Sequence, residues 1–142
     1  MKEGKAFRDV IWQLAFRFKS QHKNIVINSQ MNIAGGHLRT LMAIARTDNC
    51  TANVICKISG RDKAQITRTL KDLEREQLIQ RKSNPDDKRS QLVLLSDKGC
   101  SFLEEIWQAE QRIEDQLLQG ISDAEREQFI AIAEKMLNLQ DD

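Results

Sequence analysis

Apolar residues recur at helical spacing along most of this chain, and the interruptions between them mark the elements. Phe7, Val10, Ile11, Leu14 and Phe18 predict a first helix over about residues 5–21. The stretch 25–33 has a weaker pattern and reads as a bend or break, and Gly35-Gly36 punctuates the chain after it. Leu38, Leu41, Met42 and Ala45, with Ile44 beside them, mark a second, short helix. Thr51 is placed to cap a third over about 52–59, with Ile55 and Ile58 facing inward and Gly60 in the turn that ends it. Asp62 is placed to cap a fourth over about 63–77, whose inner stripe is Ile66, Leu70 and Leu73. Two short strands, about 79–83 and 91–95, then flank a charged tip holding Pro85. Gly99 opens a long helix carrying Phe102, Leu103, Ile106, Trp107, Ile113, Leu117 and Leu118. Ser122 and Glu125 have the spacing of a capping box ahead of a last helix with Phe129, Ile130, Ile132, Ala133, Met136 and Leu137.

Composition narrows the class. A chain of 142 residues, 40% hydrophobic and 30% charged, with six glycines, one proline and no tyrosine, fits a single soluble domain rich in helix. The net charge of +1 hides an asymmetry. Residues 1–56 carry eight bases against three acids and residues 57–89 ten against six, whereas residues 104–142 carry three against eleven. A basic front and an acidic rear imply one face made for a polyanion.

The start, MKEGKAFRDV, lacks a continuous apolar core, and no apolar run approaches the roughly 18 residues of a membrane span. Three cysteines, Cys50, Cys56 and Cys100, without C-x-x-C spacing, favour reduced thiols. A cytoplasmic protein with no membrane partner is the expectation. His22 and His37 have no further ligand at metal spacing, and no catalytic or phosphate-loop motif occurs. Neither a metal, nor a cofactor, nor an enzymatic activity is expected.

The middle of the chain carries the chemistry. Two short helices around a glycine turn, with bases on the outer face of the second, read as a helix-turn-helix. A helix fills the major groove, where Gln65 can pair with adenine, Arg68 with guanine, and Thr67 can offer a hydroxyl or a methyl. Lys63 and Ala64 share the leading end of that outer face, and Lys71 and Arg75 are placed for phosphates. A plain solvated helix face is the bland alternative. The following hairpin makes the unit a winged helix, with Arg81, Lys82, Lys88 and Arg89 along the wing. A cationic tip suits the negative potential of the minor groove, and Asp86 or Asp87 can pair with Arg89 and hold its guanidinium.

These residues resemble the multiple-antibiotic-resistance regulator (MarR) family. Asp87-Lys88-Arg89, followed after five residues by Leu95-Ser96-Asp97-Lys98-Gly99, matches that family's wing pattern of D-x-R, a strand, then L-T-x-x-G. Residues 60–68 look like the start of its recognition helix, and residues 73–79 like the end of that helix before the wing. Three departures are Ser59, where an apolar residue is usual, Ser96, which replaces threonine but keeps the capping hydroxyl, and Leu94, where a polar strand residue is common.

The resemblance implies a mainly α (α+β) fold. A winged helix with a two-stranded wing at about 34–98 would be flanked by dimerisation helices at about 5–33 and 99–142, all in one domain. It implies a homodimer on a pseudo-palindromic double-stranded DNA operator, acting as a repressor released by a small-molecule effector. Phe7, Val10, Ile11, Leu14 and Phe18, with Phe129, Ile130, Ala133, Met136 and Leu137, exceed what a small winged helix needs and are assigned to the dimer. Trp12 and Trp107 are candidate pocket residues. The competing class is a protein-interaction module that keeps the winged-helix shape without specific DNA binding; acids in place of the bases on the outer helix face would have favoured it.

Overall fold

The computed structural model describes residues 6–138. The predicted start of the first helix at about 5, and the last residues of the terminal dimerisation segment, 139–142, lie outside the described residues. The order is α1 (Phe7–Asn28), α2 (Gly35–Ala45), α3 (Ala52–Ser59), α4 (Lys63–Arg75), β1 (Ile79–Ser83), β2 (Gln91–Leu95), α5 (Asp97–Leu117) and α6 (Asp123–Asn138).

The starts of α3, α4, α5 and α6 are fixed by short side chains, as the sequence indicates. Thr51 Oγ1 accepts from the Val54 N–H at 3.3 Å, and Asp62 Oδ1 from the Gln65 N–H at 2.8 Å. Ser96 Oγ accepts from the Gly99 N–H at 3.0 Å, so α5 begins two residues before Gly99. Ser122 and Glu125 exchange both bonds of a capping box. The backbone N–H of Ser122 holds the Glu125 carboxyl below its usual range. Gly60 closes α3 with φ of 64°, a left-handed conformation.

Three boundaries differ from the pattern. α1 continues to Asn28, because Ile25 and Val26 pack against the core and no glycine or proline interrupts the helix. Gly35 and Gly36 do not break the chain; they form the first turn of α2, where the His37 imidazole accepts from the Ala34 N–H at 3.0 Å. α4 ends at Arg75 rather than near Gln77. Gln77 turns left-handed (φ 61°), and this drops Leu78 into the core.

The core lies between α2, α3, α4, the hairpin and the first half of α5. Leu41, Ile55, Ile66, Leu70, Leu73, Leu78, Leu103 and Ile106 are all fully buried there. Ile58 corrects an expectation: it points out of α3 and is 58% exposed. β1 and β2 pair antiparallel, from Ile79 opposite Leu95 to Ser83 opposite Gln91. The hairpin is moored by Val93, whose N–H bonds Cys50 O at 2.8 Å, and by a bridge between Thr51 and Leu92.

Where the hairpin meets α5, the chain folds back on the end of α4. The Ser96 N–H bonds Leu78 O, the Ser96 hydroxyl donates to Gln77 O at 2.6 Å, and Lys98 Nζ donates to Glu76 O at 2.7 Å. Gly99 sits under the same strand of carbonyls: a Cβ there would lie 2.0 Å from Leu78 O.

Candidate nucleic-acid interface

The cationic candidates lie on two exposed surfaces, the outer side of α4 and the hairpin tip. On α4 the burial of Ile66, Leu70 and Leu73 turns Lys63, Ala64, Gln65, Arg68, Lys71 and Arg75 to solvent. Thr67 is half-buried, and its hydroxyl donates to Lys63 O at 2.7 Å, so its methyl is the group left to face outward. A hollow of about 330 Å³ between α2 and α4 is lined by His37, Arg61, Gln65, Arg68, Thr69 and Asp72. Sequence periodicity does not single out His37 or Arg61, because their place beside α4 depends on how α2 and the turn before α4 fold.

Asp72 ties this region together. It accepts from His37 Nε2 at 3.1 Å and from Arg75 Nη1 at 3.1 Å. The His37 hydrogen bond, more than the nearby Arg75 charge, holds its carboxyl below the usual range. His37 accepts at Nδ1 from Ala34, so its ring donates from Nε2 to Asp72. Arg75 is thus partly occupied by a neighbour on its own helix.

The wing differs from expectation at two arginines. Arg81 pairs with Glu74 through both prongs, Nε to Oε1 at 2.9 Å and Nη2 to Oε2 at 3.1 Å. It braces the hairpin against α4 and is only 26% exposed. Lys82, Lys88 and Arg89 are exposed. At the tip, Asp87 Oδ1 accepts from the Arg89 backbone N–H at 2.9 Å, and the Asp86 N–H donates to Asn84 Oδ1 at 3.0 Å. The aspartates therefore shape the turn and do not grip the guanidinium. Among the described residues Arg89 is in no ion pair, which leaves its charge available. Asn84 Nδ2 closes the base of the turn onto Ser90 Oγ at 2.9 Å.

The remaining candidates lie elsewhere. Trp12 and Trp107 are 66% and 40% exposed; Trp12 lines a surface depression with Phe16, and Lys19 Nζ lies 5.7 Å from its ring. Cys50 is buried, and burial raises its thiol pKa; Cys56 is half-buried and Cys100 exposed. No group of three potential metal ligands occurs among the described residues. Nor is any helix among them long and apolar enough to cross a membrane.

With this geometry in view, the likeness to known proteins is informative. A model described as MarR family matches residues 29–90, which run from the end of α1 to the wing tip. The chain is 29% identical to the uncharacterized HTH-type transcriptional regulator YdgJ of Bacillus subtilis (strain 168) over 106 residues, 75% of this chain and 65% of that protein. The match to YdgJ therefore spans less than two thirds of that relative's length. Identity is 30% over 105 residues to YwhA of the same organism, also an uncharacterized HTH-type transcriptional regulator, covering 74% of this chain and 73% of that one. In fold it resembles the S. aureus MepR–DNA complex, with a TM-score of 0.75 at 23% identity over 95% of this chain and 96% of the other. The helix-turn-helix and most of the wing fall within the matched residues 29–90, and the chain belongs to the MarR family, with HTH-type transcriptional regulators among its relatives.

Proposed function

We propose that the protein is a homodimeric repressor that reads a pseudo-palindromic operator, with α4 in the major groove and the wing tip in the minor groove. The observation that carries this reading is the contrast in charge use between the exposed bases of α4 and the wing tip and the paired Arg81. Among the described residues most lysines and arginines are drawn into no ion pair, while Arg81 is held by Glu74 through both prongs. Exposed cations on the outer side of a helix suit phosphates, and the polar residues Gln65 and Arg68 among them suit base edges.

The dimer part of the reading rests on apolar exposure. Phe7, Trp12, Phe16 and Leu137 are each more than 60% exposed in the single chain, and neither α1 nor α6 has a buried residue. In the first half of α1 the apolar residues occupy two opposite faces: Phe7, Ile11, Leu14 and Phe18 on one, Trp12 and Phe16 on the other. A helix apolar on both sides needs cover on both sides, which a second copy supplies. The family resemblance extends the reading to a small lipophilic effector that releases the operator, with Trp12 and Trp107 as candidate contacts.

Selecting duplexes from a random pool tests the whole reading: enrichment of a two-fold-symmetric site supports it, and no enrichment favours an interaction module instead. On the selected site, Arg89→Ala is expected to weaken binding at least several-fold at physiological salt. Unchanged affinity in fluorescence anisotropy would remove the wing from the interface. Gln65→Ala and Arg68→Ala are expected to relax base preference, each bidentate contact being worth about 1–3 kcal/mol. Equal losses on every sequence would show that these side chains meet only the backbone.

A further inference from the structure

The glycine pair that opens α2 has a role that the helix itself does not require. Neither Gly35 nor Gly36 has a positive φ, so any residue could adopt its backbone. Alanine would favour a helix more. What occupies the space is a cation. A Cβ built at Gly36 would stand 3.1 Å from Arg61 Nη1 and 3.3 Å from Nη2, so this guanidinium lies over bare backbone. Arg39, from the same helix, reaches back until its Nη1 is 4.0 Å from the place of a Gly35 Cβ.

Among the described residues neither Arg39 nor Arg61 is in an ion pair. The carboxylate in the adjoining hollow, Asp72, is already taken by His37 and Arg75. Arg61 also lines that hollow together with Gln65 and Arg68 of α4, so its charge stands beside the helix assigned to the major groove.

On the DNA-binding reading above, we propose that Gly36 seats Arg61 as a phosphate clasp: the Arg61 guanidinium, with Arg39 beside it, holds a backbone phosphodiester of the operator outside both the recognition helix and the wing. The planar fork of arginine matches two phosphate oxygens at once. Such a contact adds affinity and fixes register without reading sequence. Gly36 acts as a positioning residue, because the nearest atoms a methyl there would meet are the flexible end of Arg61, which must give by a few tenths of an ångström and so shifts on its seat.

The experiment measures binding of the selected duplex by anisotropy as salt is varied. Arg61→Ala is expected to reduce the slope of log affinity against log salt by about one and to weaken binding roughly five- to tenfold near 0.1 M salt, with base preference intact. Gly36→Ala is expected to weaken binding roughly two- to fivefold by the same electrostatic route. It should melt at or above the wild-type temperature, and should cause no further loss in an Arg61→Ala background. A wild-type slope in Arg61→Ala overturns the clasp, as does a change in base preference. A Gly36→Ala protein that melts well below wild type overturns the seat, since the methyl would then be meeting more than a guanidinium. If wild type binds no duplex, the functional reading falls and the clasp with it; if wild type binds and the Arg61→Ala slope is unchanged, only the clasp falls.

Discussion

Replacing Gly99 with alanine is expected to destabilise the fold by about 3 kcal/mol or more, at the top of the range for overpacking. The added methyl would lie 2.0 Å from Leu78 O, and what it meets is backbone. Leu78 cannot give way, because it is fully buried and its carbonyl accepts the Ser96 N–H. Relief requires moving the start of α5 away from α4, which strains the bonds from Ser96 and Lys98 to Gln77 O and Glu76 O. Denaturant unfolding measures the loss. Gly60→Ala is the comparison: it has a positive φ of 64° but nothing within 4 Å, so it should cost only about 1 kcal/mol for the left-handed backbone. If the two variants were equally stable, the close approach at Gly99 would not exist.

The second large effect concerns assembly. Phe129→Asp combined with Ile130→Asp is expected to convert a dimer into monomers in light scattering at micromolar concentration. These side chains are 56% and 44% exposed on a helix with no buried residue, so the single chain loses little by the change. In a symmetric dimer each substitution acts twice. At a conservative 1.5 kcal/mol per lost apolar side chain, four lost side chains amount to about 6 kcal/mol, more than a 10⁴-fold rise in the dissociation constant. Operator affinity should fall with it, because each monomer then holds only one half-site. Deleting the residues before Phe18 should have the same effect on assembly. A stable dimer in both proteins would leave the apolar faces of α1 and α6 without their assigned purpose.

Much of this architecture is written locally. Thr51, Asp62, Ser96 and Ser122 each cap a helix through a bond to a residue three positions on, a distance at which sequence alone is informative. The stripe of Ile66, Leu70 and Leu73 likewise fixes which face of α4 is outward. What the pattern misses depends on partners far along the chain. The extension of α1 to Asn28 follows from Ile25 and Val26 meeting the core. Ile58 fits the apolar period of α3 but has no neighbour to cover it. Arg81 looks like one more wing base until Glu74, seven residues back across a turn, claims it. Arg61 belongs with Gly36, twenty-five positions earlier, and no periodicity links a turn residue to a glycine pair. The acids of the wing tip show the limit differently: the sequence places Asp87 beside Arg89, but only the folded turn decides that it bonds the amide and not the guanidinium.

The bonds by which Ser96 and Lys98 hold the carbonyls of Gln77 and Glu76, just past the end of α4, make α5 a lever arm with α4 fixed to its near end. α5 has 21 residues and is therefore about 30 Å long at 1.5 Å per residue. A tilt of about 5° about its far end would carry α4 by about 2.6 Å, close to the 3.4 Å between neighbouring base pairs on one strand. On the DNA-binding reading, a small tilt at the distal end of α5 is thus enough to move α4 by most of one base-pair step.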